Sequence, residues 1–339
     1  MKVKNALIVS AGLLLILVVT LAAFGLPIVE SVKLIFSGAF GNTLGLTRTA
    51  VKATPLLLTG LGMVVAWRAG MYNIGGEGQF LLGGLMGAVA AKLFSHAMPA
   101  VETILIILGA MIGGALWGSL AAWLFIKRGV NVVISTILLN FIAIQLLSWS
   151  VQGPLQESKH QLPQTDQLPD AVMLWRPDRQ LDFHAGVFLA LIVAVFLYFL
   201  IYRSVFGFQL RLVGSNARAA RANRISAEGI QFRALALSGA LCGLAGGVEL
   251  TGVAGVLGSE FSQGWGFMAI PVALVGGLHP LGVIGSAVFF GGVFAGTENL
   301  ARFTTGGPTL VYVIQAVAVF GVVALRSFTN GRTIVAEAA

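Results

Sequence analysis

Residues 54–84 read TPLLLTGLGMVVAWRAGMYNIGGEGQFLLGG. An apolar run from Pro55 to Trp67 is followed by a polar, glycine-rich break at 68–80, and a second apolar run begins at Leu81. The break contains an arginine, an asparagine, a glutamate and a glutamine among four glycines. Because glycine lets the backbone turn sharply, the pattern indicates two apolar helices joined by a tight polar connection.

The whole chain has the composition of a membrane protein. Of its 339 residues, 57% are hydrophobic and 10% are charged, and the mean hydropathy is +0.91. A soluble domain carries about 25% charged residues, and several apolar runs here approach the ~20 residues that cross a bilayer. The sequence therefore predicts an all-α, polytopic membrane protein. Its single cysteine, Cys242, excludes an intrachain disulfide.

Hydropathy and helix-breaking residues predict about ten transmembrane helices. The first follows Lys2 and Lys4, and its apolar run is longer than the ~7–15 residues of a cleaved signal peptide, so we expect it to be retained. The eighth is short and is either a crossing helix or a re-entrant half-helix. The predicted spans are 6–27, 48–67, 77–95, 101–126, 131–151, 184–202, 231–254, 266–278, 281–299 and 309–326.

The distribution of charge predicts the topology. The net charge is +8, and the basic residues cluster at the ends of apolar segments, as in cytoplasmic loops and not as in nucleic-acid-binding surfaces. Ten crossings place Arg68, Arg326 and both termini in the cytoplasm. The acidic segment 152–183 then lies outside the cell, and the arginine-rich segment 203–233 lies inside.

We interpret the chain as one transmembrane domain with two loosely repeated halves. Residues 48–151 and 231–326 each contain an apolar helix, a glycine-rich break and another apolar helix, and residues 1–47 form a first helix and a connecting segment. Paired breaks of this kind point to the central pathway of a transporter.

Glycines spaced four apart within the spans predict close packing of helix backbones and no binding site. They are Gly109 and Gly113, Gly114 and Gly118, Gly239, Gly243 and Gly247, and Gly292 and Gly296.

Missing patterns disfavour several functions. The dipeptide Gly-Lys never occurs, so the chain lacks the usual phosphate loop for ATP. Its four histidines have no metal-ligand spacing, and the hydroxyls in apolar spans have no nearby histidine base, so we expect neither a metal site nor an enzyme. Acids within the spans are few, which disfavours an ion-coupled secondary carrier, although that class is kept as an alternative.

The polar residues of the spans leave two interpretations open. Asn73 is expected to cap the third span, which puts Glu77 in its first turn, near the positive end of the helix dipole. Glu77 then either caps the helix near the interface, paired with Arg68, or lines a pathway. The polar residues of the fifth span can likewise bind an uncharged solute or bond neighbouring helices; these are Asn131, Ser135, Thr136 and Asn140.

Five segments, in this order, resemble the permease subunit of bacterial ABC importers of the ribose/branched-chain amino acid superfamily. They are the opening segment at 54–84, GVNVVISTILLNFIA (129–143), FGFQLRLVGSNARAA (206–220), ALSGALCGLAGGVEL (236–250) and GFMAIPVALVGGLHPLGVIGSAVFFG (266–291). The nucleoside-uptake branch is the most similar, with RAGLFNIGAEGQ, NEVISTIMLNYIA and GFELRAVGxNPxAARYAGI. Three departures are Val132 for glutamate, Arg224 for glycine and His279 for asparagine.

The resemblance implies an importer permease for nucleosides in the bacterial inner membrane, with a simple sugar or riboflavin as the alternative solute. It also implies three kinds of partner: ATP-binding cassette subunits that hold the ATP, a second and paralogous permease, and an extracytoplasmic binding protein. No cofactor is expected in this chain. The resemblance assigns the substrate pathway to Asn73, Glu77, Gln79, Ser135, Thr136 and Asn140, and the contact with the ATPase to Gly207, Arg211, Gly214, Asn216, Ala219 and Ala220.

The cytoplasmic segment also has a helical pattern of its own. Ser215 or Asn216 can cap a short helix of small residues, with Arg218 and Arg221 on one face. We therefore predict that residues 214–226 form one coupling helix that sits on the ATPase. A solvated loop that merely sets the topology is the alternative.

Overall fold

The computed structural model describes residues 12, 15–16, 18–178, 181–304 and 307–330. Most of the predicted first helix, with Lys2 and Lys4, lies outside the described residues. A helical stretch at 18–23 is described, and it is followed by Gly25, whose φ of 67° is readily adopted by glycine.

The described residues contain helices and no strand, and one isolated antiparallel bridge joins Gln164 and Gly258. Short π-helical turns follow the first and ninth helices, at Ser37–Gly41 and Leu250–Ala254. In chain order the helices are α1 (Ile28–Phe36), α2 (Thr43–Arg68), α3 (Gly76–Leu93), α4 (Pro99–Arg128), α5 (Val132–Gln152), α6 (Gly186–Arg203), α7 (Val205–Ser215), α8 (Ala217–Ala222), α9 (Ala227–Glu249), α10 (Trp265–Val275), α11 (Pro280–Phe303) and α12 (Gly307–Asn330).

These helices confirm the predicted all-α membrane architecture. Among the described residues, α2, α4, α5, α6, α9 with its π turn, and α11 are long and apolar enough to cross a bilayer. The ten crossings remain a prediction. Helix α1 was missed by the sequence analysis, which assigned its nine residues to a connecting segment.

Local sequence explains where helices begin and end. The Asn131 side-chain oxygen accepts hydrogen bonds from Val133 N and Ile134 N, at 2.8 and 3.4 Å, and so caps α5. Pro99 opens α4, where its missing N–H costs no hydrogen bond, and Gly129 ends that helix with a φ of 67°.

The chain divides into two compact units, residues 1–53 with 288–339, and residues 54–287. The unit boundaries fall inside α2 and α11. They do not coincide with the two predicted halves, whose relationship as repeats is still a prediction.

Within the first unit, polar side chains connect three helices. Lys52 Nζ of α2 lies 2.6 Å from Glu298 Oε1 of α11. The neighbouring Asn299 donates its Nδ2 to the carbonyl of Leu34 in α1 at 2.9 Å. The first contact joins α2 to α11, and the second holds α1 against α11.

Within the second unit, glycines let α3, α4 and α9 pack backbone against backbone. A Cβ on Gly83 would overlap the backbone of Gly243, and a Cβ on Gly114 would overlap the Gly239 carbonyl. A Cβ on Gly118 would likewise overlap a carbonyl of α9. The predicted packing role of Gly114, Gly118, Gly239 and Gly243 is therefore confirmed.

The eighth predicted span is a short helix that is reached through non-helical chain. Residues 255–264 are not helical, and α10 begins at Trp265. The π turn before this stretch lies near the start of α6, because Leu174 N bonds to Thr251 O at 2.8 Å and Ala185 N bonds to Trp175 O at 2.9 Å. Beyond α10, the Leu278 carbonyl accepts a hydrogen bond from Arg68, which also bonds to Tyr202 at the other end of α6. This segment therefore passes from one end of the second unit to the other.

Candidate functional site

The glutamate of the break lies where two helices begin. Glu77 belongs to the first turn of α3, and its Oε2 accepts a hydrogen bond from the backbone N–H of Gly266, in the first turn of α10, at 2.9 Å. The Ser262 hydroxyl and the Phe267 N–H also donate to this carboxylate. Helix N-termini carry unpaired N–H groups and partial positive charge, so one carboxylate compensates both helices.

The two helix N-termini are in backbone contact. A Cβ on Gly266 would overlap the backbone of Gly76 and Glu77. Any side chain larger than hydrogen at Gly266 would therefore push α10 away from α3.

Asn73 holds the break in its turned shape. Its side chain is fully buried, and its Nδ2 donates to Gln79 Oε1 and to Ser238 Oγ, both at 2.9 Å. Its Oδ1 accepts from Gly75 N at 2.8 Å. The predicted N-cap role is wrong, because Gly75 is the N-cap of α3 and Asn73 instead bridges the break to α9. Ser238 was not recognised in the sequence, since a lone serine in an apolar helix carries no distinguishing pattern.

Helix α5 holds the other side of the break. Asn140 Nδ2 donates to the Ile74 carbonyl at 2.9 Å, and its Oδ1 accepts from Gly78 N at 2.8 Å. Thr136 Oγ1 accepts from Ile74 N at 3.2 Å. Ser135 bonds within α5 and does not reach the break.

All of the predicted pathway residues are buried: Asn73, Glu77, Gln79, Ser135, Thr136 and Asn140. All of them except Ser135 form hydrogen bonds that involve the break, either within it or between it and another helix. The arrangement fixes an irregular backbone by satisfying its polar groups inside a helical bundle, as a membrane environment requires. That these residues line a pathway is still a prediction.

Arg68 does not pair with Glu77, so that expectation is wrong. Its Nε donates to the carbonyl of Leu278, just after α10, at 2.9 Å, and its Nη2 donates to the Tyr202 hydroxyl at 3.1 Å. The guanidinium of Arg211 lies over the same Tyr202 ring, 5.2 Å from its centroid. His279, one of the departures from the family pattern, packs on that ring with centroids 5.1 Å apart. The cluster joins the ends of α2 and α6 to α7 and to the turn before α11.

The predicted coupling segment consists of two helices. Helix α7 ends at Ser215, and Asn216 caps α8 by accepting a hydrogen bond from Ala219 N at 2.9 Å. The capping role of Asn216 is therefore confirmed. A single helix over 214–226 is wrong, because Asn216 is extended, with a φ of −159°, and Arg224 has a φ of 59°.

Two glycines allow α7 to pack closely against its neighbours in the second unit. A Cβ on Gly207 would overlap the carbonyls of Leu200 and Ile201, so glycine lets α7 turn back against α6. A Cβ on Gly214 would overlap the Arg68 carbonyl, so the end of α7 rests on the end of α2. The segment 205–222 therefore contacts the residue at which the break begins.

The faces of α8 differ in exposure. Ala220 is fully buried within the unit, and Ala219 is half-buried. Arg218, Arg221 and Arg224 are exposed. A partner on this side would meet arginines and Ala219 but not Ala220.

The segment 153–185, at the other end of the unit, is ordered partly by its acids. The backbone N–H and hydroxyl of Ser158 donate to Asp166, at 2.9 and 2.8 Å, and they lower the pKa of Asp166. The Gln164 side chain and the Leu162 N–H donate to Glu157, and they lower its pKa.

His184 is buried just before α6. Gly186 N donates to its Nδ1 at 3.1 Å, so Nε2 carries the ring proton, and no described residue bonds to that nitrogen. Burial, and then the nearby Arg176 charge, lower the pKa of His184 to about 4. The imidazole is therefore neutral at pH 7.

Across the described residues, no three His, Cys, Asp or Glu side chains come together as a metal-binding group would require. The site is instead a membrane-embedded network of amides, hydroxyls and one carboxylate around a broken helix connection. This arrangement, with apolar helices long enough to cross a bilayer and a helical segment at one end, defines a polytopic membrane protein.

Comparison with known proteins identifies the family. Residues 45–323 match the family described as branched-chain amino acid transport system / permease component. The chain belongs to this family of ABC transporter permeases.

Three relatives show the range of the family. The glucose ABC transporter permease protein TsgB13 of Haloferax volcanii is 33% identical over 93% of this chain and 85% of its own length. The guanosine ABC transporter permease protein NupP of Bacillus subtilis is 32% identical over 86% of this chain and 83% of its own. The guanosine ABC transporter permease protein NupQ of the same organism is 28% identical over 83% of this chain and 90% of its own.

Proposed function

We propose that this chain is the permease subunit of an ABC importer that moves nucleosides across the inner membrane of a bacterial cell. The observation that carries the proposal is the 32% identity to a guanosine permease over 86% of the chain. The polar groups near the break support it, because neutral amides and hydroxyls suit an uncharged solute better than an ion.

A hexose is the second candidate solute. The 33% identity to a glucose permease favours it specifically. The two candidates share a neutral ring with neighbouring hydroxyl groups, so the residues that recognise them need similar chemistry.

The proposal requires partners. The chain has no Gly-Lys dipeptide and therefore no usual phosphate loop, so the ATP is hydrolysed on separate cassette subunits. Two guanosine permeases of one organism both match this chain, which supports pairing with a paralogous permease. An extracytoplasmic binding protein delivers the solute to the permease. In the membrane, both termini of the permease lie in the cytoplasm.

We further propose that α7 and α8 form the coupling segment on the ATPase: Gly207, Arg211 and Gly214 hold it against its own unit, and Asn216 and Ala219 lie on the side that meets the ATPase. The ATPase can change the conformation of the permease only if it contacts a part of the chain that has two conformations and binds them with different affinity. The Gly214–Arg68 contact and the Arg68–Leu278 hydrogen bond make the ends of α2 and α10 that part. Movement of α8 would thereby reach α2, which leads into the break, and α10, whose N-terminus is bonded to Glu77.

The test is an uptake panel in cells that express the complete importer. Labelled guanosine, adenosine, uridine and glucose are supplied with and without a functional ATPase, and each is competed by the others. ATP-dependent uptake of a nucleoside that excess glucose does not inhibit supports the proposal. If only glucose is taken up, the solute is a hexose and not a nucleoside. Uptake that needs only an ion gradient would contradict the proposal of an ATP-driven importer.

A further inference from the structure

A cavity of 310 Å³ lies at the end of the second unit away from α8. Its walls come from the C-terminal end of α3, the N-terminal end of α4, the π turn after α9 and parts of segment 155–169. The cavity is separate from the hydrogen-bond network around Asn73, and its volume falls at the lower end of the range for small-molecule sites, about 300–1,000 Å³.

The cavity contains a buried carboxylate without a partner. Glu102 is 4% exposed and lines the cavity. No hydrogen bond from another described residue reaches its carboxylate, and its backbone N–H bonds to the Met98 carbonyl. A carboxylate without a protein donor is stabilised by any hydrogen-bond donor that enters the cavity. Its position in the first turn of α4 favours a negative charge but leaves the oxygens free to accept.

The remaining lining residues divide into an apolar floor and a polar rim. Ala88, Ala91 and Leu250 are buried beside Glu102. The exposed rim supplies both donors and acceptors, from Lys92, Ser95, Asp166 and Gln167. Lys92 is steadied by a 2.9 Å bond from its Nζ to the Pro154 carbonyl.

We propose that this cavity binds the sugar ring of the transported solute, with Glu102 accepting hydrogen bonds from two neighbouring hydroxyls. A hydroxyl both donates and accepts, so it is matched by a carboxylate on the floor and by an ammonium and an amide at the rim. The C–H face of the ring packs on the two alanines and Leu250. This inference rests on the proposed function, since nucleosides and hexoses both carry such a ring.

Cationic ligands fit the cavity less well. The Lys92 ammonium lines the rim, and the described residues here include no third acidic, histidine or cysteine ligand for a metal. A basic side chain of the binding protein is a different occupant, and the experiment distinguishes it.

The test measures equilibrium binding to the purified full chain in lipid nanodiscs, with guanosine, 2′-deoxyguanosine and glucose as probes. Glu102→Gln should weaken binding of the preferred solute about ten-fold or more, because a charge-assisted hydrogen bond is lost. Loss of the 2′-hydroxyl should weaken guanosine binding about ten-fold in the parent but less than about two-fold in Glu102→Gln. For a glucose-specific chain, a deoxyglucose series replaces the nucleoside pair.

Two further variants keep the test decisive. Ala91→Leu fills the floor without touching the carboxylate and should also abolish binding, which covers the case in which Glu102→Gln fails to fold. Glu228→Gln, an exposed glutamate at the other end of the unit, should bind as the parent does.

Equal binding by the parent and Glu102→Gln overturns the inference, as does the absence of binding to the full chain. If the complete importer still takes up nucleosides in either case, the proposed function stands without it. Weakened docking of the binding protein with unchanged solute binding would assign the cavity to a basic side chain of that partner instead.

Discussion

Glu77 and Gly266 lie 189 positions apart in the chain and are joined by a 2.9 Å hydrogen bond from the glycine N–H to the glutamate Oε2. The bond ties the start of α3 to the start of α10, so the polar break at 68–80 and the non-helical stretch at 255–264 form one structure. Two helix N-termini therefore meet inside the unit, and the carboxylate in the first turn of α3 accepts hydrogen bonds from the first turn of α10.

The Asn140 side chain should be needed for stability as well as for uptake. Asn140→Leu leaves the Ile74 carbonyl without its side-chain partner, and we expect a loss of about 1–3 kcal/mol in unfolding free energy together with lower uptake. The measurement is thermal unfolding in detergent, followed by uptake in cells. Gln145→Leu, an exposed amide on the same helix, is the matched control. If Asn140→Leu has the thermal midpoint and the uptake rate of the parent, the hydrogen bonds of Asn140 contribute to neither stability nor transport.

Gly214 should tolerate no side chain. Gly214→Ala places a methyl group against the Arg68 carbonyl, so it should separate α7 from α2 and lower uptake about ten-fold, while the ATPase still co-purifies. Gly285→Ala provides the contrast, because nothing lies within 4 Å of its Cβ position and the substitution should stabilise α11 by about 0.5–1 kcal/mol. Parental uptake by Gly214→Ala would show that this contact does not transmit movement.

The face of α8 that carries Ala219 should receive the ATPase. Ala219→Trp should abolish uptake and solute-stimulated ATP hydrolysis while the permease still inserts. The family resemblance assigns Ala220 to the same contact, but Ala220→Trp is not a useful test, because that side chain is buried in its own unit and a bulky substitution would disturb the fold. Ala100→Trp, at an exposed alanine of α4, controls for the added indole. Normal transport by Ala219→Trp would assign the coupling contact to another surface.

His184 should make stability fall in mild acid. Its pKa is about 4 when folded and about 6.5 when unfolded, so the unfolded chain binds more protons between these values and stability rises with pH there. Acidification from pH 7 to pH 5 should therefore cost about 2 kcal/mol. Glu157 and Asp166, whose pKa values lie below the ordinary range, stay ionised at pH 5.

Thermal midpoints at pH 7 and pH 5 measure this effect. His184→Asn should remove most of the difference, since the amide oxygen can still accept from Gly186 N. His160→Asn, at an exposed histidine of the same segment, should retain it. If His184→Asn shows the same difference between its midpoints at pH 7 and pH 5 as the parent, another group is responsible for the pH dependence.

Cysteine labelling should establish the orientation. In a Cys242→Ala background, Asp166→Cys should react with an impermeant reagent from outside, and Arg218→Cys should react only after the membrane is opened. Both positions are exposed, and they lie in segments at opposite ends of the second unit. The reverse pattern would invert the topology, because both assignments depend on the same count of crossings.

Much of the fold could be predicted from local sequence. Apolar runs, Pro99 at the start of α4 and Asn131 at the start of α5 act within a few residues of themselves, so they identify helices and their ends. The five family segments likewise identified the permease. Helix α1 escaped because its nine residues are too few for a clear local pattern, and its contact with α11, from Asn299 to Leu34, comes from far along the chain.

The sequence by itself determined that this is an all-α membrane permease, where most of its helices run, and which glycines allow close packing, since these depend on composition and short-range spacing. Tertiary structure alone decided that Arg68 binds the Leu278 carbonyl instead of Glu77, that Asn73 reaches Ser238 instead of capping α3, and that Ala220 faces inward. Each of these depends on which distant backbone groups folding brings within about 3 Å, and hydrogen bonds of that length leave no periodic trace in the sequence.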